Sequence, residues 1–139
     1  MDDQQLREKA KTLDIYQAQM EALMRQSDLL RATMDEYLRA RDTLNGFKDL
    51  KKGEETLVPI GANFFVYCTV KNSKKVIGSV GSTVAIEETA EKALKRLDSR
   101  ISEMNETGQR IAKAIEDLEN KSQALYMEIQ GAAGAAQKQ

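Results

Sequence analysis

Residues 56–86 read TLVPIGANFFVYCTVKNSKKVIGSVGSTVAI, a block rich in β-branched and aromatic side chains broken at intervals by glycine, asparagine and lysine. Four short strands follow from that pattern: Leu57-Val58-Pro59-Ile60, Phe64 to Val70, Val76-Ile77, and Val84-Ala85-Ile86. Gly61-Ala62, Lys71-Asn72-Ser73-Lys74 and Gly81-Ser82 supply the turns between them, so the block is expected to fold as two consecutive β-hairpins. Pro59 has no N–H to give a ladder, which puts the first strand at a sheet edge or ends it there.

The strand from Phe64 is apolar on both faces: Phe64, Val66, Cys68 and Val70 point one way, Phe65 and Tyr67 the other. About 30 residues in short strands make only a small sheet with open edges, and both faces need cover. Other subunits are the expected cover. Phe64, Phe65, Val66, Tyr67, Val76, Ile77, Val84 and Ile86 are the residues predicted to form that assembly surface.

Heptad-patterned helices flank the block. In the C-terminal third Ala90, Leu97, Met104, Ile111, Leu118 and Leu125 recur every seven residues, with Leu94, Ile101, Gly108, Ile115, Ser122 and Ile129 offset by four. The N-terminal third carries a weaker copy, Leu6, Leu13, Met20, Ser27, Met34 and Arg41 with Lys9, Tyr16, Leu23, Leu30, Tyr37 and Leu44. The expected organisation is a coiled-coil helix over residues 1–47, ended by Asn45-Gly46; hairpins over 48–86; a second helix over 87–130; and a frayed small-residue tail over 131–139. The fold class is thus α+β, mainly α.

Hairpins return the chain to its point of entry, so the helices should pair antiparallel as an arm of roughly 60 Å at about 1.5 Å per residue. Matching the two series places Leu30 opposite Ile101, Leu23 opposite Gly108 and Lys9 opposite Ser122; a register one heptad along fits nearly as well. The seam weakens toward the chain termini, where Lys9 and Ser122 replace apolar knobs. Ile15, Tyr126 and Met127 lie off the seam there, and apolar side chains outside a seam mark a binding surface unless they are ordinary scattered surface residues. With seam neighbours Leu6, Leu13, Leu125 and Ile129 they form the candidate tip site.

Charge and composition remove other functions. Lys plus Arg (21) and Asp plus Glu (22) nearly cancel in the 139 residues, so nothing steers nucleic acid or an anionic membrane to the chain. No apolar run reaches the ~18 residues that span a bilayer, and the first residues lack a signal pattern, so a cytoplasmic protein is expected. There is no histidine, and the single cysteine, Cys68, reads as a small apolar strand residue. Neither an enzyme nor a metal or cofactor site is expected. Gly78-Ser79-Val80-Gly81-Ser82-Thr83 lacks the Gly-Lys-Ser/Thr ending of a phosphate loop and is read as turn glycines. Glu87-Glu88 is read as charge opening the second helix, and Lys74-Lys75 as a polar hairpin tip.

Val58-Pro59-Ile60-Gly61, the glycine-centred Val76-Ile77-Gly78-Ser79-Val80-Gly81 and the exit Val84-Ala85-Ile86-Glu87-Glu88, set between coiled-coil helices, closely resemble the alpha subunits of archaeal prefoldin. The resemblance spans essentially the whole chain and departs at Tyr67-Cys68-Thr69, where the family tends to have a Pro-Gly step. It implies a hexamer of two alpha and four beta subunits, a β-barrel platform built from hairpins, and six coiled-coil tentacles. It further implies an ATP-independent holdase that captures non-native proteins at the tips and delivers them to a group II chaperonin. The competing expectation is a coiled-coil scaffold or tether that docks one defined folded partner.

Overall fold

A computed structural model describes residues 2–79 and 81–137, with side chains to Gly134. Six elements follow one another: helix α1 (Asp3–Phe47), strands β1 (Glu55–Gly61), β2 (Phe64–Thr69), β3 (Lys75–Ser79) and β4 (Ala85–Thr89), and helix α2 (Ala90–Gln137). The chain falls into two units, one of residues 1–33 with 104–139 and the other of residues 34–103.

Both helices start at side-chain caps that the heptad pattern does not reveal. The Asp2 carboxylate accepts from Gln5 N–H at 2.8 Å, and the Gln5 side-chain oxygen accepts from Asp2 N–H at 3.2 Å, a reciprocal box that satisfies free amides of the first turn. At α2 the Thr89 hydroxyl accepts from Lys92 N–H at 3.2 Å. The second helix therefore begins three residues later than Glu87. Glu87 and Glu88 continue β4, paired with Ile77 and Val76, and do not open a helix.

The first helix ends at Phe47, as expected, but by another device than the expected one, and the second runs beyond its expected end. Helix α1 runs through Asn45-Gly46 to Phe47 and closes with Lys48 N–H on the Leu44 carbonyl and Leu50 N–H on the Phe47 carbonyl, so no left-handed glycine is needed. Residues 131–137, expected to fray, continue α2. Alanine, the strongest helix former, outnumbers glycine there and carries the helix on. Lys138 and Gln139, the last of that predicted tail, lie outside the described residues.

In the first unit the two helical segments meet along the predicted seam. Met20 and Met104 are buried, and Leu13, Leu23, Leu30, Ile111, Ile115 and Leu118 are half-buried. The register is the heptad-shifted one. A Cβ on Gly108 would touch a Leu30 methyl at 3.6 Å, and Lys9 Nζ reaches Glu128 Oε2 at 2.5 Å, so Leu30, not Leu23, faces the glycine, and Lys9 lies beside Glu128. Opposite charges flanking the seam favour this alignment over one that sets Lys9 against Ser122. In the second unit, Arg41 lies 3.8 Å from Asp98, the same alignment, and Ala90, Ala93, Leu94 and Ile101 are buried.

The hairpins also belong to the second unit, as two separate two-stranded antiparallel sheets. In the first, Leu57 faces Tyr67, Val58 faces Val66 and Pro59 faces Phe65 before the register shifts at Ile60. The turn is Ala62-Asn63, both with positive φ (49° and 63°), after Gly61 at 108°; it sits one residue beyond the Gly61-Ala62 pair expected to make it. Val70 leaves β2 and is buried, its N–H donating to the Glu54 carbonyl and its own carbonyl accepting from Gly53 N–H. Val84 precedes β4 and is exposed. Val80 of the rejected phosphate-loop stretch lies outside the described residues.

Two substitutions in the seam test this packing. Gly108→Ala adds a methyl in ordinary contact with Leu30 and removes a helix-interior glycine, so it should stabilise the chain by about 1 kcal/mol. The Ser122 hydroxyl is buried without a hydrogen-bond partner, and Ser122→Ala should stabilise by a similar amount, about 1 kcal/mol. Both are read as a shift of the thermal unfolding midpoint followed by circular dichroism.

Candidate binding surfaces

The first hairpin sorts its side chains by strand period. Thr56, Val58, Phe64, Val66 and Cys68 share one face, and Leu57, Pro59, Phe65 and Tyr67 the other. Among the described residues neither face is closed over: Thr56 is half-buried, but Leu57, Val58, Ile60, Phe64, Phe65 and Val66 are exposed, and Tyr67 is 81% exposed. Cys68 is a free, exposed thiol on β2. Leu57, Val58 and Ile60 belong to this surface as much as the residues singled out from the sequence. Their own run of apolar strand residues is the signal that could have included them.

The second hairpin is covered on one side only. Val76, Gly78 and Glu88 are half-buried, whereas Ile77 on the opposite face is 78% exposed. Arg96 of α2 lies across Gly78 and pairs with the Glu88 carboxylate, whose side chain is only 8% exposed. A Cβ at Gly78 would come within 2.8 Å of the Arg96 guanidinium and 3.1 Å of Glu88 Oε1, so a side chain there would have to displace the tip of Arg96. Ile86, paired with Gly78, remains 41% exposed. Glu87-Glu88 is therefore partly a structural ion pair, and Lys74-Lys75 is no hairpin tip: Lys74 Nζ donates to the Lys48 carbonyl and Lys75 opens β3.

The seven tip residues divide by position in the first unit. Leu6, Leu13, Leu125 and Ile129 are half-buried in the seam, while Ile15 (54%), Tyr126 (52%) and Met127 (66%) stand exposed off it. The Tyr126 hydroxyl accepts from the Gln130 side-chain amide at 2.8 Å, which holds its ring along the helix. Met24 and Leu29 of α1 are exposed as well, apolar residues that lie off the seam as Ile15 does but fall outside the expected tip site.

These surfaces offer apolar contact, and no group of three His, Cys, Asp or Glu side chains is placed to hold a metal among the described residues. No described helix is long and apolar enough to cross a membrane.

Comparison with known proteins agrees with this architecture. The Prefoldin subunit family model matches residues 16–135. The chain is 29% identical over 127 residues to a prefoldin subunit alpha of Archaeoglobus fulgidus, covering 91% of this chain and 93% of that one. It is 30% identical over 118 residues to a prefoldin subunit alpha of Methanosarcina barkeri, covering 83% and 82%. A chain in the cryo-EM structure of filamentous PFD from Methanocaldococcus jannaschii superposes with a TM-score of 0.69 at 30% identity, over 86% of this chain and 98% of that one. The crystal structure of the prefoldin beta subunit from Thermococcus strain KS-1 shares the fold at a TM-score of 0.63 and 18% identity, over 92% and 91%. Two long helices joined by two antiparallel hairpins, with a family match across most of the sequence, make this chain a member of the prefoldin subunit family.

Proposed function

We propose that the chain is an alpha-type subunit of a cytoplasmic, ATP-independent chaperone, a hexamer with four beta-type subunits that holds non-native proteins and passes them to a group II chaperonin. The observation that carries this reading is the first hairpin, apolar on two faces and largely exposed on both among the described residues. At roughly 25 cal/mol per Å² of apolar surface, such faces gain several kcal/mol when strands of neighbouring subunits cover them. The residues proposed for assembly are Phe64, Phe65, Val66, Tyr67, Val76, Ile77, Val84 and Ile86, joined by Leu57, Val58 and Ile60.

Client capture is assigned to Leu6, Leu13, Ile15, Leu125, Tyr126, Met127 and Ile129. What supports it is the exposure of Ile15, Tyr126 and Met127 together with the polar seam residues Lys9 and Ser122 close by in sequence. A thioether and a phenol suit contact with unrelated sequences, the first by adapting its shape and the second by tolerating a wet edge. Single contacts of about 1 kcal/mol or less, multiplied over several linked arms, hold a client by avidity and still release it without nucleotide.

Replacing Ile15, Tyr126 and Met127 together by serine should leave the mass of the assembled complex unchanged and cut its suppression of aggregation of a denatured client severalfold. Full protection by that variant would remove the tips as the capture site. Unrelated denatured proteins should compete with one another for the wild-type complex. A saturable complex with a single folded protein, without such competition, would instead indicate a tether.

A further inference from the structure

Six of the chain's 21 basic side chains fall within ten residues contributed by two loops. Lys48, Lys51 and Lys52 follow helix α1, and Lys71, Lys74 and Lys75 lie between β2 and β3 or at the start of β3. Hydrogen bonds tie the loops together. The buried Ser73 hydroxyl donates to the Leu50 carbonyl at 2.5 Å, and Lys74 Nζ donates to the Lys48 carbonyl at 2.7 Å. Gly53 N–H reaches the Val70 carbonyl at 2.8 Å, and Val70 N–H the Glu54 carbonyl at 2.9 Å. An opening of about 640 Å³ lies between the loops, walled by Lys51, Lys52, Lys71 and Lys74 with Asp49 and Asn72; the cleft beside α1 and β1 is smaller, about 380 Å³.

The ammonium groups on this platform are not spent on the chain's own carboxylates. Lys48, Lys51, Lys52, Lys71 and Lys75 have no ion-pair partner among the described residues, and Asp49, Glu54 and Glu55 are the acidic residues nearby in sequence. Lysines after a helix complement its negative end, which accounts for Lys48 and not for the three that arrive from the second loop. With a net charge of −1 for the whole chain, a cluster this basic leaves the remainder distinctly acidic. Positive charge is thus concentrated on a surface whose backbone is already fixed, so a ligand need not order it on binding.

We propose that this lysine platform is a docking site for an acidic, carboxylate-rich segment of a partner protein. A peptide fits the chemistry better than a nucleic acid. The platform has neither an aromatic side chain to stack a base nor an arginine to fork a phosphate, and the acidic remainder of the chain repels a long polyanion.

Fluorescence anisotropy of a labelled oligo-glutamate peptide with the chain in complex with its partner subunits tests the proposal. Binding should weaken at least about tenfold between roughly 50 and 500 mM sodium chloride, because screened surface charges carry it. Lys51→Glu, Lys52→Glu and Lys71→Glu combined should weaken it by about tenfold or more, and the same three sites changed to Gln by less. Arg110→Glu, Lys113→Glu and Lys121→Glu combined, the same charge change on α2 far along the chain from the platform, should leave it within about twofold. Equal losses in both reversal triples, no binding by the wild-type complex, or tighter binding of a single-stranded oligonucleotide of matched charge would overturn it.

Discussion

The constraint on which everything else rests is that this chain makes strands it cannot cover. No large side chain is wholly buried among the described residues, and the most apolar segment, Phe64 to Thr69, lies exposed along its whole length. Its cross-strand partners from Leu57 to Pro59 are apolar as well, so pairing β1 with β2 satisfies the ladder and leaves two greasy faces in water. The chain's own helices do not remedy this: Arg96 of α2 covers Gly78 and Glu88 of the other sheet, and the α1 end that lines a cleft with Thr56–Pro59 leaves Leu57, Val58 and the whole of β2 exposed. Association with other chains is the physical resolution.

The helices obey a different rule. Their cohesion comes from a narrow seam, and the flanking charges decide which of two nearly equivalent registers is populated. Lys9 with Glu128 and Arg41 with Asp98 are exposed or half-exposed pairs, worth little as stabilisation. Their value is selective, because a one-heptad slip leaves the apolar matches nearly as good while separating the charges. Gly108 opposite Leu30 gives the seam a local shape preference of the same kind.

Much of this is legible in the sequence. Element order, two hairpins, the period-seven series and the apolar faces follow directly from Thr56–Ile86 and its flanks, because side-chain period survives without tertiary knowledge. Boundaries do not, since they depend on single hydrogen bonds: Thr89 caps α2, so Glu87-Glu88 remain in the strand, and alanines carry the helix past Gly131. The Ala62-Asn63 turn escapes a reading that reserves positive φ for glycine, because Gly61 precedes the turn and two non-glycine residues make it. Among the tip residues, sequence separates the seam positions Leu6, Leu13, Leu125 and Ile129 from the exposed Ile15, Tyr126 and Met127. The same off-seam criterion also marks Met24 and Leu29, which lie farther from the termini than the expected tip and are exposed as well.

Assembly through uncovered strand faces is the central claim, and native mass measurement of Tyr67→Asp beside the wild-type chain, each co-expressed with beta-type subunits, tests it most directly. A carboxylate placed in an apolar contact between subunits costs several kcal/mol unless it is paired. The expected result is a wild-type complex of two such chains with four partners and, for the variant, a free 15.6 kDa chain or small subcomplexes. A wild-type chain that stays monomeric beside those partners, or a variant that assembles as fully as the wild type, would contradict it.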